Sequence, residues 1–157
     1  MLARDRQNYA QDVQISIRGF GARASFGLRG VRVYVDGIPA TFPDGQGQIT
    51  NVDLGSVERI EVLRGPSSAL YGNSAGGVIQ AFTEDGAATP TVDFGLSAGS
   101  NGVLRPNTKL SGVTGAIGYV LSASHFETDG YRDHSAAERK IGNVKLTLRI
   151  DDASTVT

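Results

Sequence analysis

Hydrophobic and polar positions follow two different rhythms along this chain, and the change comes near residue 85. Beyond it the alternation is clean. Val92, Phe94, Leu96 and Ala98 fall on one parity, against Thr91, Asp93, Gly95 and Ser97. Ile117, Tyr119, Leu121 and Ala123 oppose Gly118, Val120, Ser122 and Ser124. The sharpest run sets Val144, Leu146, Leu148 and Ile150 against Asn143, Lys145, Thr147 and Arg149. A period of two places these sets on opposite faces of a sheet. Leu104 to Gly112 is a fourth strand candidate with weaker alternation.

Before residue 85 the apolar runs are short and separated by glycine-rich connections. Strands are predicted over Gln14–Gly19, Val31–Asp36, Val57–Leu63 and Val78–Thr83, and Asp53-Leu54-Gly55-Ser56 reads as a short helical or turn segment. After Arg64-Gly65-Pro66, residues Ser67 to Tyr71 suit one helical turn capped by Ser67 or Ser68. This half is predicted as an α+β globule, with a boundary at Glu84–Ala88 ending at Pro90.

The alternating half admits two readings. An antiparallel sheet with one face in water gives the same pattern. Strands of roughly 9–11 residues with alternately short and long connections are also the signature of a transmembrane β-barrel. The connections here run Ser100-Asn101-Gly102, Val113-Thr114-Gly115, the long Thr128–Ala137, then Asp151-Asp152-Ala153. Gly118, Ser122 and Ser124 would crowd little against material filling a lumen. Four strands with open edges cannot stand alone in hydrocarbon, where every backbone polar group needs a partner.

Composition narrows the function classes. The chain has 157 residues, a formal net charge of −1 and no cysteine. That charge disfavours a general nucleic-acid binder, and the missing thiols exclude disulfides and thiolate metal sites. With 21 Gly and 5 Pro, glycine is in excess and proline is not, which points to tight turns rather than a disordered linker. No apolar run of about 18 residues exists, as a transmembrane helix would need, and the first 14 residues lack the apolar region of a signal peptide. All eight cations before residue 85 are arginine, six of them within residues 1–32. Guanidinium suits bidentate carboxylate recognition, and an ordinary solvated surface explains the same residues.

Several enzyme-like motifs dissolve on inspection. Gly72-Asn73-Ser74-Ala75-Gly76 satisfies G-x-S-x-G, but a nucleophile elbow needs a strand before the serine and a helix after it, and here the order is reversed. Arg18-Gly19-Phe20-Gly21 lacks the spacing and the following helix of a dinucleotide site. His125 falls on the apolar parity near a loop, and His134 lies in a loop with Asp129, Arg132 and Asp133. Neither has a second histidine at ligand spacing. No enzyme, cofactor or metal site is expected.

Three segments in order, ISIRGFGAR (Ile15–Arg23), VRVYVDGIP (Val31–Pro39) and VERIEVLRGPSSALYGNSAGGVI (Val57–Ile79), closely resemble the plug domain of TonB-dependent outer-membrane receptors. ETDGYRDHSA (Glu127–Ala136) is similar to an early extracellular barrel loop of that family. The resemblance implies an α+β plug domain over residues 1–86, N-terminally incomplete. Residues 90–157 would then be the first four to five antiparallel strands of a transmembrane β-barrel, 22-stranded in the complete protein, with the plug inside its lumen. The chain is then a fragment, and the motif that TonB engages lies upstream of it.

The same resemblance implies energy-coupled uptake of a scarce ligand across the outer membrane of a Gram-negative bacterium, with TonB, outer-membrane lipid and the imported ligand as partners. That ligand would be a ferric siderophore or a similar chelate or cofactor. Asp36–Gln48 with Leu70–Ile79 looks closest to a branch that includes pyrroloquinoline quinone importers. Family plug apices face the outside, which makes Arg23, Phe26, Arg29, Phe42, Asp44, Gln46 and Gln48 candidate ligand contacts. Arg18 and Arg64, with Glu61, are candidates for a lock between plug and barrel glutamates beyond residue 157. An internal pair of Arg64 with Glu58 or Glu61 is the alternative. Two other functions stay open: a receptor for signalling or for phage and colicin binding without transport, and a soluble α+β binding domain.

Overall fold

The computed structural model describes residues 1–4, 13–24, 27–65, 70–72, 74–151 and 154–157. These form two compact units. The first holds residues 1–52 and 57–83; the second holds 53–56 and 84–157.

The first unit is built from eight short strands: β1 (Leu2–Arg4), β2 (Gln14–Ser16), β3 (Leu28–Arg29), β4 (Val31–Val35), β5 (Ile38–Pro39), β6 (Gln46–Gly47), β7 (Val57–Leu63) and β8 (Gly77–Thr83). The last four-stranded sheet runs β5-β4-β8-β7, with β4 and β8 parallel and the other pairs antiparallel. Strand β8, GVIQAFT, lies between two neighbours and is buried on both faces at Val78, Ile79 and Ala81. That is why its apolar run is nearly continuous instead of alternating. Strand β7 is one edge and carries Glu58, Arg59 and Glu61 exposed, charge that keeps an open edge from pairing with other chains. Ile15, Ile17, Leu28, Val31, Val33 and Ile79 form the core, with Ala40, Ile49 and Val62 packed around it.

Two turns define this unit. Asp36 and Gly37 have φ of 49° and 81° and join β4 to β5. Asp-Gly is the pair that a two-residue type I′ hairpin favours, because both positions need positive φ. The Asp36 carboxylate also accepts the Thr83 backbone N–H at 2.8 Å and the Thr83 hydroxyl, pinning the turn to the end of β8. The second turn shortens the first predicted strand. The alternation suggests a strand through Gly19, but β2 ends at Ser16, and Ile17 and Phe20 exchange both backbone hydrogen bonds at 3.0 Å around Arg18 (φ 52°) and Gly19 (φ 84°). The helical turn expected over Ser67–Tyr71 falls largely on residues 66–69, outside the described residues.

The second unit is an antiparallel meander of β9 (Thr91–Ala98), β10 (Leu104–Thr114), β11 (Ile117–Thr128), β12 (Ala137–Arg149) and β13 (Thr155–Val156), adjacent in sequence order. The registers Val92↔Leu110, Leu110↔Leu121 and Leu121↔Val144 line the apolar positions across the sheet. That face is exposed: Phe94 is 76%, Leu96 63% and Leu146 57% accessible. A water-soluble sheet covers such a face with other structure, and no described residue does so here.

Candidate functional site

In the first unit the two loops expected to contact ligand are joined to each other. Strand β3 ends one and β6 ends the other, and they pair antiparallel with Arg29 opposite Gln46. Within the second loop, the Phe42 N–H donates to the Gln46 carbonyl at 2.8 Å and the Gln46 N–H to the Asp44 carboxylate at 3.0 Å. Asp44 thus spends one carboxylate oxygen on its own turn, an Asx geometry. Arg29, Phe42, Asp44 and Gln46 therefore come together, with Phe42 exposed at 69%. Arg23 and Gln48 are also exposed. Phe26 lies outside the described residues.

The residue that organises this surface is one that sequence reasoning passed over. The Arg32 guanidinium, half-buried on β4, donates to the Phe42 carbonyl at 2.5 Å and to the Tyr71 carbonyl at 3.3 Å. Tyr71 in turn meets Tyr34 edge-to-face at 5.5 Å and accepts from the Gln80 amide at 3.1 Å. One side chain thus clamps the 40–48 loop to the Tyr71 segment. The only sequence signal was a cation inside the β-branched run VRVYV.

Glycines of the SAGGVI stretch allow backbone to approach backbone. A Cβ on Gly76 would stand 2.6 Å from the Phe20 Cβ and 2.9 Å from the Gly30 carbonyl, and Gly77 holds φ of 135°. Beside them Ser74 is fully buried, and its hydroxyl donates to the Gly72 carbonyl at 3.2 Å. It is a turn-forming serine, sealed from any substrate.

Arg18 and Arg64 are both exposed, and among the described residues neither enters an ion pair. Glu61 is paired with Arg59 at 2.8 Å, and that same guanidinium lies 4.0 Å over the Phe82 ring. Among the described residues Arg64 forms no ion pair with Glu58 or Glu61, the internal partners offered above as the alternative.

The second unit reveals a site the sequence did not announce. Its polar face holds two of its own chain segments, residues 53–56 and 84–87. The Ser122 hydroxyl donates to the Asp53 carboxylate, and the Asn143 amide to the Ser56 hydroxyl at 3.1 Å. The Glu84 N–H donates to the Ser56 carbonyl at 2.8 Å, tying the two segments together. Lys109 pairs with Glu84 at 2.8 Å and Lys145 with Asp85 at 3.0 Å, while the Ala87 N–H donates to the Ser111 hydroxyl at 2.9 Å. Lys109 and Lys145 are largely buried by these contacts. Gly86 lies so close to β10 and β11 that a Cβ would meet the Gly112 carbonyl and, at 2.9 Å, the Tyr119 nitrogen. Asp53-x-Gly55 is legible as an Asx turn, and the Gly55 N–H does donate to the Asp53 carboxylate at 3.2 Å. That its other oxygen would reach a strand nearly 70 residues away was not legible.

On the opposite, apolar face, His125 Nε2 stands 3.1 Å from Glu138 Oε1, close to the long 129–136 connection. It serves a surface pair at the end of the apolar band, and its ring rests there as an amphipathic group should.

Residues 3–78 match the TonB-dependent receptor plug domain. The pesticin receptor of Yersinia pestis is 32% identical over 151 residues, covering 88% of this chain and 21% of that protein. The hemin receptor of Yersinia enterocolitica is 35% identical over 136 residues, covering 83% of this chain and 18% of that one. Among solved structures, the siderophore receptor PirA from Acinetobacter baumannii superposes with a TM-score of 0.67 at 23% identity, over 90% of this chain and 24% of its own. The chain thus spans about a fifth of the length of these curated relatives. Plug motifs in order, a fold shared with that solved receptor, and similarity running through the alternating strands agree: the chain belongs to the TonB-dependent receptors.

Proposed function

We propose that this chain is the plug domain, residues 1–86, and the first barrel strands, residues 90–157, of a receptor that takes up a scarce ligand across a bacterial outer membrane with energy supplied through TonB. The observation that carries the reading is the two-faced sheet. One face is broadly apolar and exposed, as lipid contact requires, and the other is polar and already occupied by segments 53–56 and 84–87. A soluble α+β binding domain would bury the first face. The complete protein would close its sheet, in the plugged type with about 22 strands, because open edges do not survive in hydrocarbon. The receptor carries no catalytic role in this reading.

Ligand contact is assigned to Arg23, Phe26, Arg29, Phe42, Asp44, Gln46 and Gln48. Arg18 and Arg64 are assigned to locking, toward barrel carboxylates outside this chain; Glu61, engaged by Arg59, is the weakest member of that set. Relatives named for hemin and siderophores favour an iron chelate as ligand. Pyrroloquinoline quinone rests on the sequence resemblance alone. A second reading, bacteriocin binding at the cell surface, draws support from the relative named as a pesticin receptor, and one receptor can serve both.

The test is uptake of radiolabelled iron chelates by cells that make the complete receptor, with and without TonB. Accumulation that requires both supports the proposal. Accumulation unaffected by loss of TonB, or by loss of the receptor, refutes it, and bacteriocin sensitivity without any uptake would favour the second reading.

A further inference from the structure

The apolar face of the second unit has a step near its outer edge, toward the 129–136 connection. The registers place Phe94, Thr108, Ala123 and Gly142 in one row across β9 to β12. The row inside it, Val92, Leu110, Leu121 and Val144, is bulky throughout. From Phe94 to Gly142 the outer row shrinks to no side chain at all. A hollow of about 460 Å³ lies there, lined by Phe94, Pro106, Ala123, His125, Lys140 and Gly142 among others. A Cβ built on Gly142 would meet nothing within 4 Å. Gly142 has no positive φ, and the ladder runs through it without a bulge. No backbone demand explains it, and glycine inside a strand is then a mark of close approach by another molecule.

Beyond the hollow the charges come in two layers. The next row outward on β11 and β12 is His125 and Lys140, and the row after that is Glu127 and Glu138. Such rows are about 7 Å apart along a strand. Lys140 Nζ stands 2.6 Å from Glu138 Oε1, and His125 Nε2 stands 3.1 Å from the same oxygen and 3.9 Å from Glu127 Oε2. An ammonium has three donors, so Lys140 keeps two for a further acceptor. Glu127 has no shorter ion pair among the described residues, so its oxygens can accept from a further donor. Read outward, the surface is apolar, then cationic, then anionic.

A zwitterionic phospholipid carries the complementary order: acyl chain, then phosphate, then an ammonium one ethyl spacer further out. We propose that this hollow is a binding site for phosphatidylethanolamine. One acyl chain lies in the trough over Ala123 and Gly142, the phosphate takes hydrogen bonds from Lys140 and His125, and the ammonium donates to Glu127 and Glu138. The outer layer selects the headgroup. A lipid with a phosphate and no ammonium would bring its charge to two carboxylates and offer them nothing. The site rests on the barrel reading, because only a sheet that faces lipid meets acyl chains.

The test uses the complete receptor, purified in detergent, stripped of lipid and mixed with equal amounts of phosphatidylethanolamine, phosphatidylglycerol and lipopolysaccharide. Native mass spectrometry reads what stays bound. Wild type is expected to retain phosphatidylethanolamine about 10-fold better than phosphatidylglycerol, the size of a charged hydrogen bond. Gly142→Phe puts a ring into the trough from a β-carbon clear of the protein, and it is expected to abolish retention while heat-modifiable migration on gels shows an intact barrel. H125Q/K140Q is expected to weaken retention of both phospholipids about 10-fold. E127Q/E138Q is expected to bring phosphatidylglycerol level with phosphatidylethanolamine. Wild-type retention in Gly142→Phe overturns the site. So do selectivity that survives E127Q/E138Q, a preference for phosphatidylglycerol or lipopolysaccharide, and retention of no lipid. TonB-dependent chelate uptake by cells making the same receptor leaves the receptor reading standing in each of those cases. A complete receptor that is a stable monomer without detergent would instead remove the barrel reading itself.

Discussion

The two units solve one problem, satisfying every backbone polar group, in opposite ways. The second does it with long regular ladders, β11 and β12 sharing twelve consecutive registered pairs. Its side chains are then free to sort into one apolar and one polar face. The first unit has strands of two to seven residues, so much of its backbone is satisfied outside ladders. It relies on clamps such as Arg32 on carbonyls, Asp36 on Thr83, and glycines that let backbones touch. Regular pairing makes a wall whose two surfaces are chemically distinct. Irregular pairing makes a body with an interior and a varied exterior. A wall tolerates exchange of exposed residues within each face, whereas a small irregular body depends on a few packed atoms.

The largest expected effect breaks the comparison at the interior of the first unit. Leu28 is fully buried in its core, so Leu28→Ala removes its packing and leaves a cavity, at a cost of about 4 kcal/mol. A unit this small should lose its cooperative transition, visible as loss of near-UV dichroism. A stability change under about 1 kcal/mol would show that Leu28 is not part of a packed core. Next comes the apolar face of the wall. Leu146→Arg leaves the ladder untouched, yet it should cost about 3 kcal/mol of barrel stability in lipid vesicles. On the polar face Lys145 already carries a charge toward Asp85, and Lys145→Arg should cost little. Equal tolerance of Leu146→Arg and Lys145→Arg in reconstituted receptor would overturn the assignment of faces. Gly76→Ala comes third, at about 2 kcal/mol, because the new methyl would overlap the Phe20 Cβ and the Gly30 carbonyl. Thermal melting of the chain checks it, and an unchanged midpoint would mean that the backbones are not in contact there.

The wall was largely legible and the body only in outline. Period two assigns the faces of β9, β11 and β12, since one strand's alternation is local information. Strands β4, β7 and β8 are also legible, because β-branched runs ended by Asp-Gly or Gly-Pro mark themselves. What escaped were interactions between residues far apart in sequence. Arg32 bonds carbonyls 10 and 39 positions away, and Asp53 reaches Ser122 across 69 positions. Such contacts depend on how elements meet, which no local pattern encodes. The pairing of β3 with β6, two residues each, likewise has no period to read.

The smallest effect sharpens the contrast most, because the two units should answer it differently. Arg18 occupies the first position of a two-residue turn with φ of 52°, where a β-carbon is unfavourable and Asn, Asp or Gly is preferred. The side chain is exposed and has no ion-pair partner among the described residues, so within the first unit it returns nothing for that strain. Arg18→Asn should therefore stabilise the 157-residue chain by about 1 kcal/mol in thermal melts. A left-handed arginine with a role outside the turn, such as the proposed lock to barrel carboxylates, would carry that strain in return for a contact made elsewhere. In the complete receptor the same substitution should then release the plug more readily, read as faster protease cleavage of residues 1–86. If Arg18→Asn stabilises both the chain and the complete receptor, the arginine is a tolerated turn residue and the lock belongs elsewhere. If it stabilises the first and loosens the second, the strain at φ 52° is the local cost of a contact made by the whole molecule.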